Sequence, residues 1–251
     1  MGVAMEASGV ARQRLERALA EDWLTLYCQP ILDLRSNAYS LAEILVRMRD
    51  EEHALLPPGE FLSIFEELRL MPQLDRWVVR QTLRRFESGC RIPRLSINLS
   101  AQTLAAPAFS AFVAEALAAG NQAPEVLLFE LDEADIAINP QSAVATANAL
   151  KHEGCGVIID SFGASEHSLS YLKHLRVDML KLDGSVVRKL LSGGGARSFV
   201  ETVVRIAAAV GMDVIGSSVE AQDVLLRLKA LGVGYAQGFG IHEPVPVDKI
   251  A

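Results

Sequence analysis

Short apolar runs alternate with helix-period segments along most of this chain. Two strand-like stretches, Leu24 to Leu34 and Leu41 to Met48, follow one another closely after a charged amphipathic helix around Ala11 to Ala20. Helices are then predicted over Pro58 to Leu68 and Met71 to Phe86, the second with apolar residues at helical spacing. The series continues as Leu95 to Leu99 (strand), Phe109 to Ala119 (helix), Val126 to Leu131 (strand), Gln141 to His152 (helix) and Val157 to Asp160 (strand). It ends with Ser168 to Leu175 (helix), Met179 to Leu182 (strand), Ala196 to Val210 (helix), Val214 to Ser217 (strand), Ala221 to Leu231 (helix) and Gly234 to Gly238 (strand). Repeated strand and helix with short apolar strands imply a parallel sheet. About eight such strands in a chain of this length point to an α/β fold, a closed (β/α)8 TIM-like barrel.

In such barrels the chemistry sits at the C-terminal ends of the strands. Polar residues fall there repeatedly: Asn98 in LSINLS, Glu130 and Glu133 in LLFELDE, and Asp160 in GVIID. Lys181 and Asp183 lie in MLKLD, Glu220 follows VIGSSV, Gln237 follows GYA, and Glu43 sits within SLAEILVRM. One such residue is ordinarily a cap or turn residue, but the same pattern at nearly every strand needs another explanation. Carboxylates and an amide converging on one face are the hard oxygen ligands that Mg²⁺ or Mn²⁺ prefers. A lysine among them would neutralise a phosphate.

Composition narrows the picture. The 251 residues are half hydrophobic and 22% charged, as in a globular protein, and no linker divides them. One domain over residues 1–251 is expected, residues 1–10 forming a disordered or peripheral extension. The net charge of -7 and pI of about 5.3 argue against DNA as a partner. Cys28, Cys90 and Cys155 show neither metal-ligand spacing nor a disulfide framework, so reduced thiols are expected. No signal pattern or long uncharged apolar run is present, which points to a cytoplasmic protein without membrane insertion. Met1-Gly2 begins like a myristoylation motif, but Glu6 occupies the place of the required hydroxyl residue.

Other features read more simply. The run Gly193-Gly194-Gly195 lacks a phosphate-loop lysine and is expected to be a flexible connection. Arg76, Arg80 and Arg84 share a helix face that is either solvated or a dock for an acidic partner. His53, His152, His167, His174 and His242 show no ligand spacing, and His167 falls in a loop of interest below.

Taken in order, the motifs LYCQPILDL, EILVRM, SINLS, FELDE, IDSFG, VDMLKLD, SSVE and QGFG resemble the EAL domains, which hydrolyse cyclic-di-GMP to a linear dinucleotide. The resemblance covers nearly the whole chain. It implies a barrel whose first strand pair is antiparallel, which suits the short connection between the two opening strands. It implies one metal site at Glu43, Asn98, Glu130 and Asp160, and a dinucleotide held by Gln29, Leu45 and Arg47, the arginine on a phosphate. Lys181 matches the lysine near the attacking water, and Glu220 and Gln237 the remaining polar positions. Asp183 is expected to join this ligand-facing set.

The pattern breaks at two acidic positions. The family's Asp-Asp pair reads Asp160-Ser161, and its Glu-Gly-Val-Glu segment reads Ser217-Ser218-Val219-Glu220. The loop Phe162 to Ser168 also departs from the family's Phe-Gly-Thr-Gly-Tyr-Ser-Ser, a loop that couples the site to a dimer interface. In the family the two lost carboxylates hold a second metal, and the glutamate is a proposed base. The resemblance therefore implies a degenerate member, with one Mg²⁺ or Mn²⁺ site or none and vestigial Lys181 and Glu220. The expected function is a cyclic-di-GMP receptor in bacterial second-messenger signalling, acting on a protein partner and able to form a homodimer. Two alternatives stay open: an adaptor that ignores the nucleotide, and a phosphodiesterase with residual metal-dependent hydrolysis, Asp183 compensating for the lost ligands.

Overall fold

The computed structural model describes the chain except residues 1, 22, 51, 53, 107, 166–167, 169–171, 173–174 and 251, and the side chains of residues 2–8. His53, His167, His174 and most of the helix expected over Ser168 to Leu175 therefore lie outside the described residues.

Ten strands are formed among these residues: β1 (Leu24–Asp33), β2 (Ala38–Arg49), β3 (Leu55–Leu56), β4 (Leu95–Leu99), β5 (Leu127–Asp132), β6 (Gly156–Phe162), β7 (Met179–Leu182), β8 (Asp213–Gly216), β9 (Tyr235–Ala236) and β10 (Val245–Pro246). Eight close into a barrel in the order β1-β2-β4-β5-β6-β7-β8-β9, with β9 returning to β1. From β2 to β9 the neighbours are parallel; β1 is antiparallel to both β2 and β9. The tight connection from β1 to β2 requires the reversal, because a parallel partner would need a crossover.

The interior is built in two tiers by the two-residue alternation of side chains along a strand. Ile31, Leu41, Leu128, Ile158, Met179, Ile215 and Tyr235, one from each of seven strands, form a separate buried apolar cluster that plugs the barrel. Two residues on in the parallel strands come Glu43, Glu130, Asp160, Lys181, Ser217 and Gln237; two residues back in the antiparallel β1 comes Gln29. The apolar floor thus fixes the height of the polar tier. A one-residue slip of any strand would turn its polar residue outward.

Element bounds follow the hydrophobic pattern, with some differences. The first helix is Gly2–Ala20 and begins well ahead of Ala11, so residues 2–10, expected as a disordered or peripheral extension, are helical. Their two glycines and lack of an apolar period hid this from the sequence. Gly194 and Gly195 form the first turn of the helix Gly194–Val210, so the expected glycine connection shrinks to Gly193. Strong helix formers downstream extend the helix back through them. The helices Ala101–Leu104, Glu133–Ile138 and Gly184–Arg188 are too short to carry a readable period. Each is capped by the side chain just before it: Ser100, Asp132 and Asp183. Cys28, Cys90 and Cys155 are free thiols, and burial pushes those of Cys28 and Cys155 up to about 12. No helix among the described residues is long and apolar enough to cross a membrane.

One buried carboxylate locks a helix to a strand end. Asp75, on the helix Met71–Glu87, accepts hydrogen bonds at Oδ2 from the Ser100 amide (3.1 Å), the Ser100 hydroxyl (2.8 Å) and the Thr103 hydroxyl (2.6 Å). Burial outweighs these bonds and pushes its carboxyl up to about 6. The folded state therefore holds this proton more tightly than the unfolded chain, and the associated stability is lost as pH rises through about 6. Urea unfolding between about pH 4 and pH 7 should show the stability of the wild type, relative to Asp75→Asn, falling by up to about 3 kcal/mol as pH rises. A difference independent of pH would refute this account.

Candidate functional site

Seven of the residues singled out in the sequence meet in one hydrogen-bonded network above the barrel floor. The Lys181 ammonium lies 2.6 Å from Glu43 Oε2, 2.8 Å from Glu130 Oε2 and 3.8 Å from Asp160 Oδ2. Asn98 Nδ2 donates to Glu43 Oε1 (2.7 Å), and Gln237 Nε2 donates to Glu43 Oε2 (2.8 Å) and to Gln29 Oε1 (3.2 Å). Gln29 Nε2 in turn donates to the His242 carbonyl (3.0 Å). Gly238 allows the chain to turn beside Gln237: a Cβ there would lie 2.2 Å from both the Val219 amide nitrogen and its carbonyl oxygen.

The protonation of the cluster follows from burial and charge. Burial works against ionising Glu43, but the charge of Lys181 and the hydrogen bonds from Lys181, Asn98 and Gln237 hold its carboxyl below the usual range. Burial and the neighbouring charge of Glu43 push Glu130 the other way, up to about 8, with Lys181 opposing. Burial also raises Asp160 against the pull of Lys181. Lys181 itself is buried, which disfavours its charge, yet Glu130, Glu43 and Asp160 keep it firmly protonated. The rise at Glu130 and Asp160 lowers the negative charge facing Lys181, so the ammonium and Glu43 form the firmly ionised pair at the centre of the cluster.

This network forms one wall of a cavity of about 360 Å³, also lined by Ser161, Asp183, Ser217, Ser218, Glu220 and Phe239. Leu45 and Arg47 do not reach it. They line an adjoining slot of about 330 Å³, walled by Pro58, Leu62, Met71 and Leu99, on the other side of the Glu43–Asn98 hydrogen bond. Arg47 stacks its guanidinium 5.4 Å from the Tyr27 ring centroid and donates to its own Val46 carbonyl (2.9 Å).

The two serines at the acidic positions are turned to local partners. Ser161, with φ of +56°, donates its hydroxyl to Asp132 Oδ2 (2.8 Å), and the Ser217 hydroxyl donates to the Leu182 carbonyl (2.6 Å). Ser218 also has a positive φ, +52°, a conformation costly for a residue with a Cβ. Glu133 is buried at the start of the helix Glu133–Ile138 and accepts from the Ser165 amide (3.1 Å), which ties down the altered loop.

Several participants escaped the sequence reading. Ser96 donates to Glu130 Oε1 (2.5 Å) from two residues before Asn98, on the same inward face, so the strand period could have found it. Asp132, two residues after Glu130 at the end of β5, carried the same signal; the His242 carbonyl and Phe239 carried none. Phe239 is 66% exposed at the cavity rim.

Carboxylates and an amide oxygen are the ligand types a hard divalent ion such as Mg²⁺ or Mn²⁺ takes. Among the described residues, however, no group of three or more acidic, histidine or cysteine side chains is arranged to hold a metal ion. Glu43 and Glu130 already accept hydrogen bonds at both oxygens. At the two positions where the family carries acids, Ser161 and Ser217 present neutral hydroxyls whose protons are committed to Asp132 and the Leu182 carbonyl, while Asp183 and Glu220 remain as carboxylates on that side. Among the described residues, the cation at the centre of the carboxylates is Lys181 itself.

The EAL domain model matches residues 12–244. Among curated relatives, the chain is 32% identical over 237 residues to the cyclic di-GMP phosphodiesterase PdeF of Escherichia coli, covering 93% of this chain and 32% of that protein. It is 28% identical to the cyclic di-GMP phosphodiesterase PdeB of Shewanella oneidensis, covering 93% of this chain and 28% of the relative. The chain thus spans about a third of the length of these relatives. Among solved structures, the FimX EAL domain of Pseudomonas aeruginosa bound to c-di-GMP superposes with a TM-score of 0.87 at 28% identity, covering 93% of this chain and 96% of that one. The Xanthomonas citri FimX EAL domain shares the fold at a TM-score of 0.89 and 23% identity, covering 98% and 97%. With the family model spanning nearly the whole barrel and the same motifs at its strand ends, the chain belongs to the EAL domain family.

Proposed function

We propose that this chain is a cyclic-di-GMP receptor that has lost hydrolysis. The observation that carries the reading is the split character of the cavity: a complete set of oxygen ligands faces two serines that hold no negative charge. Glu43, Asn98, Glu130 and Asp160 would hold one divalent ion, which would screen a phosphate and polarise its oxygens. Gln29, Leu45 and Arg47 hold the dinucleotide, with the apolar slot beside Arg47 sized for a base. Lys181, Asp183, Glu220 and Gln237 complete the polar lining.

Hydrolysis requires a water to lose its proton as it attacks phosphorus, and the leaving oxygen to be stabilised. Ser161 and Ser217 supply neither a base nor a ligand for the second ion that such a step uses. Lys181 and Glu220 are then remnants of the catalytic set. Asp132, 2.8 Å from the Ser161 hydroxyl, is the observation that favours the competing reading of residual hydrolysis. In the receptor reading the chain works as one domain in the cytoplasm, passing the bound state to a protein partner, alone or as a homodimer.

Calorimetric titration with cyclic-di-GMP, first with Mg²⁺ and then with EDTA, should show binding, and chromatography of the same samples should return the nucleotide intact. Linear dinucleotide in those samples would overturn the loss of hydrolysis. Arg47→Ala should weaken binding about tenfold or more, the scale of one hydrogen bond to a charged group. An unchanged affinity would remove Arg47 from the site.

The serines make a separate prediction. In the double variant Ser161→Asp, Ser217→Glu with Mn²⁺, linear product should form at least roughly a hundredfold faster than in the wild type, the lower end of what general base catalysis contributes. No gain would mean that these positions are not the reason for inactivity.

A further inference from the structure

Four carboxylates line the cavity, Glu43, Asp160, Asp183 and Glu220, against one ammonium, Lys181. Lys181 is already engaged by three carboxylates and has little charge to spare for an incoming anion. A ligand carrying two phosphates would therefore be repelled from the end of the cavity formed by Asp183, Ser217, Ser218 and Glu220. Among the described residues no cluster of acidic side chains at that end is arranged to hold a metal ion that would reverse the field.

One cation stands beside that end, next to the lining residue Gly184, without itself forming part of the cavity wall. Asp183 caps the helix Gly184–Arg188, so Arg188 lies one turn after Gly184 on the same face. Helical side chains tilt toward the N-terminus, which carries the arginine back over the strand end instead of away from it. A Cβ built on Gly184 would lie 2.8 Å from Arg188 Nη1 and 2.5 Å from Ser218 Oγ. The guanidinium and the serine hydroxyl thus converge on the bare Cα of a residue that itself lines the cavity. Gly184 keeps this approach open, because any side chain there would displace the guanidinium. Arg188 is exposed and, among the described residues, forms no ion pair, so its donors are available.

We infer that Arg188 is a phosphate-binding residue of this cavity, giving its Ser217–Ser218 end the positive charge that two serines cannot recruit as a metal ion. The inference rests on the receptor reading and adds to it a binding residue outside the strand-end motifs. A planar guanidinium matches two phosphate oxygens at once, which an ammonium cannot do. Arg47 on β2 and Arg188 beside β7 and β8 would then serve different parts of one dianionic ligand.

The test is calorimetric titration of cyclic-di-GMP in EDTA into wild type, Arg188→Met and Arg188→Lys, at low and high salt. Arg188→Met keeps the aliphatic stem and removes the charge. Since Arg188 is exposed, the thermal transition should stay that of the wild type. Binding should weaken about tenfold or more, with the gap to the wild type narrowing at high salt as the charge is screened. Arg188→Lys should recover part of the loss. Wild type that binds while Arg188→Met binds equally well would overturn this inference alone. Wild type without affinity in Mg²⁺ as well as in EDTA would overturn the receptor reading, and this inference with it. Wild type that binds only with Mg²⁺ would overturn this inference alone, since the cavity would then depend on a metal ion for its positive charge.

Discussion

Everything at the centre of this barrel is arranged around one buried ammonium. Taking Lys181 and its carboxylate partners out of water carries a desolvation cost of several kcal/mol per ion, recovered only if the remaining lone pairs and protons find partners. They do: Asn98 and Gln237 saturate Glu43, Ser96 saturates Glu130, and the Ser161 amide donates to Asp160. Ser96 and Asn98 come from β4, the Ser161 amide from β6 and Gln237 from the end of β9. The network therefore demands a closed barrel in correct register, and a barrel in correct register delivers the network. Breaking one member leaves an uncompensated buried charge, which typically costs about 3–5 kcal/mol.

In the receptor reading, the same network lets binding and hydrolysis part company. Ion recruitment depends on charge density, which in that reading Glu43 and Asp160 supply. Water activation depends on charge at the β6 and β8 ends, where the chain carries hydroxyls. Those hydroxyls are well satisfied by Asp132 and the Leu182 carbonyl, so the altered wall is locally stable and not a packing defect. The residual strain sits in the backbone at Ser161 and Ser218, whose positive φ values mark a conformation shaped for the site and not for the residues now in it.

How much of this was legible in the sequence can be argued from particular residues. Strands such as Leu95–Leu99 and Met179–Leu182 were readable to the residue, because a short apolar run bounded by polar positions has one interpretation in a parallel barrel. The helices Ala101–Leu104 and Gly184–Arg188 were not, since a single turn carries no period. The polar residues at strand ends were visible as a set. Their partners were less so: Ser96 looks like any small strand residue, and the carbonyl of His242 leaves no trace in side-chain chemistry.

The sequence by itself determined the strand and helix order, the barrel class and the identity of the missing charges, because period, length and residue type are local properties. It also determined that two positions at one end of the site would carry hydroxyls in place of acids. Only the tertiary structure decided that Lys181 would be enclosed by Glu43, Glu130 and Asp160, that Leu45 and Arg47 would face a separate slot, and that the Arg188 guanidinium would lie against Gly184. These are relations between residues distant in the chain. They are set by barrel closure and by the tilt of a helical side chain, neither of which a linear pattern encodes.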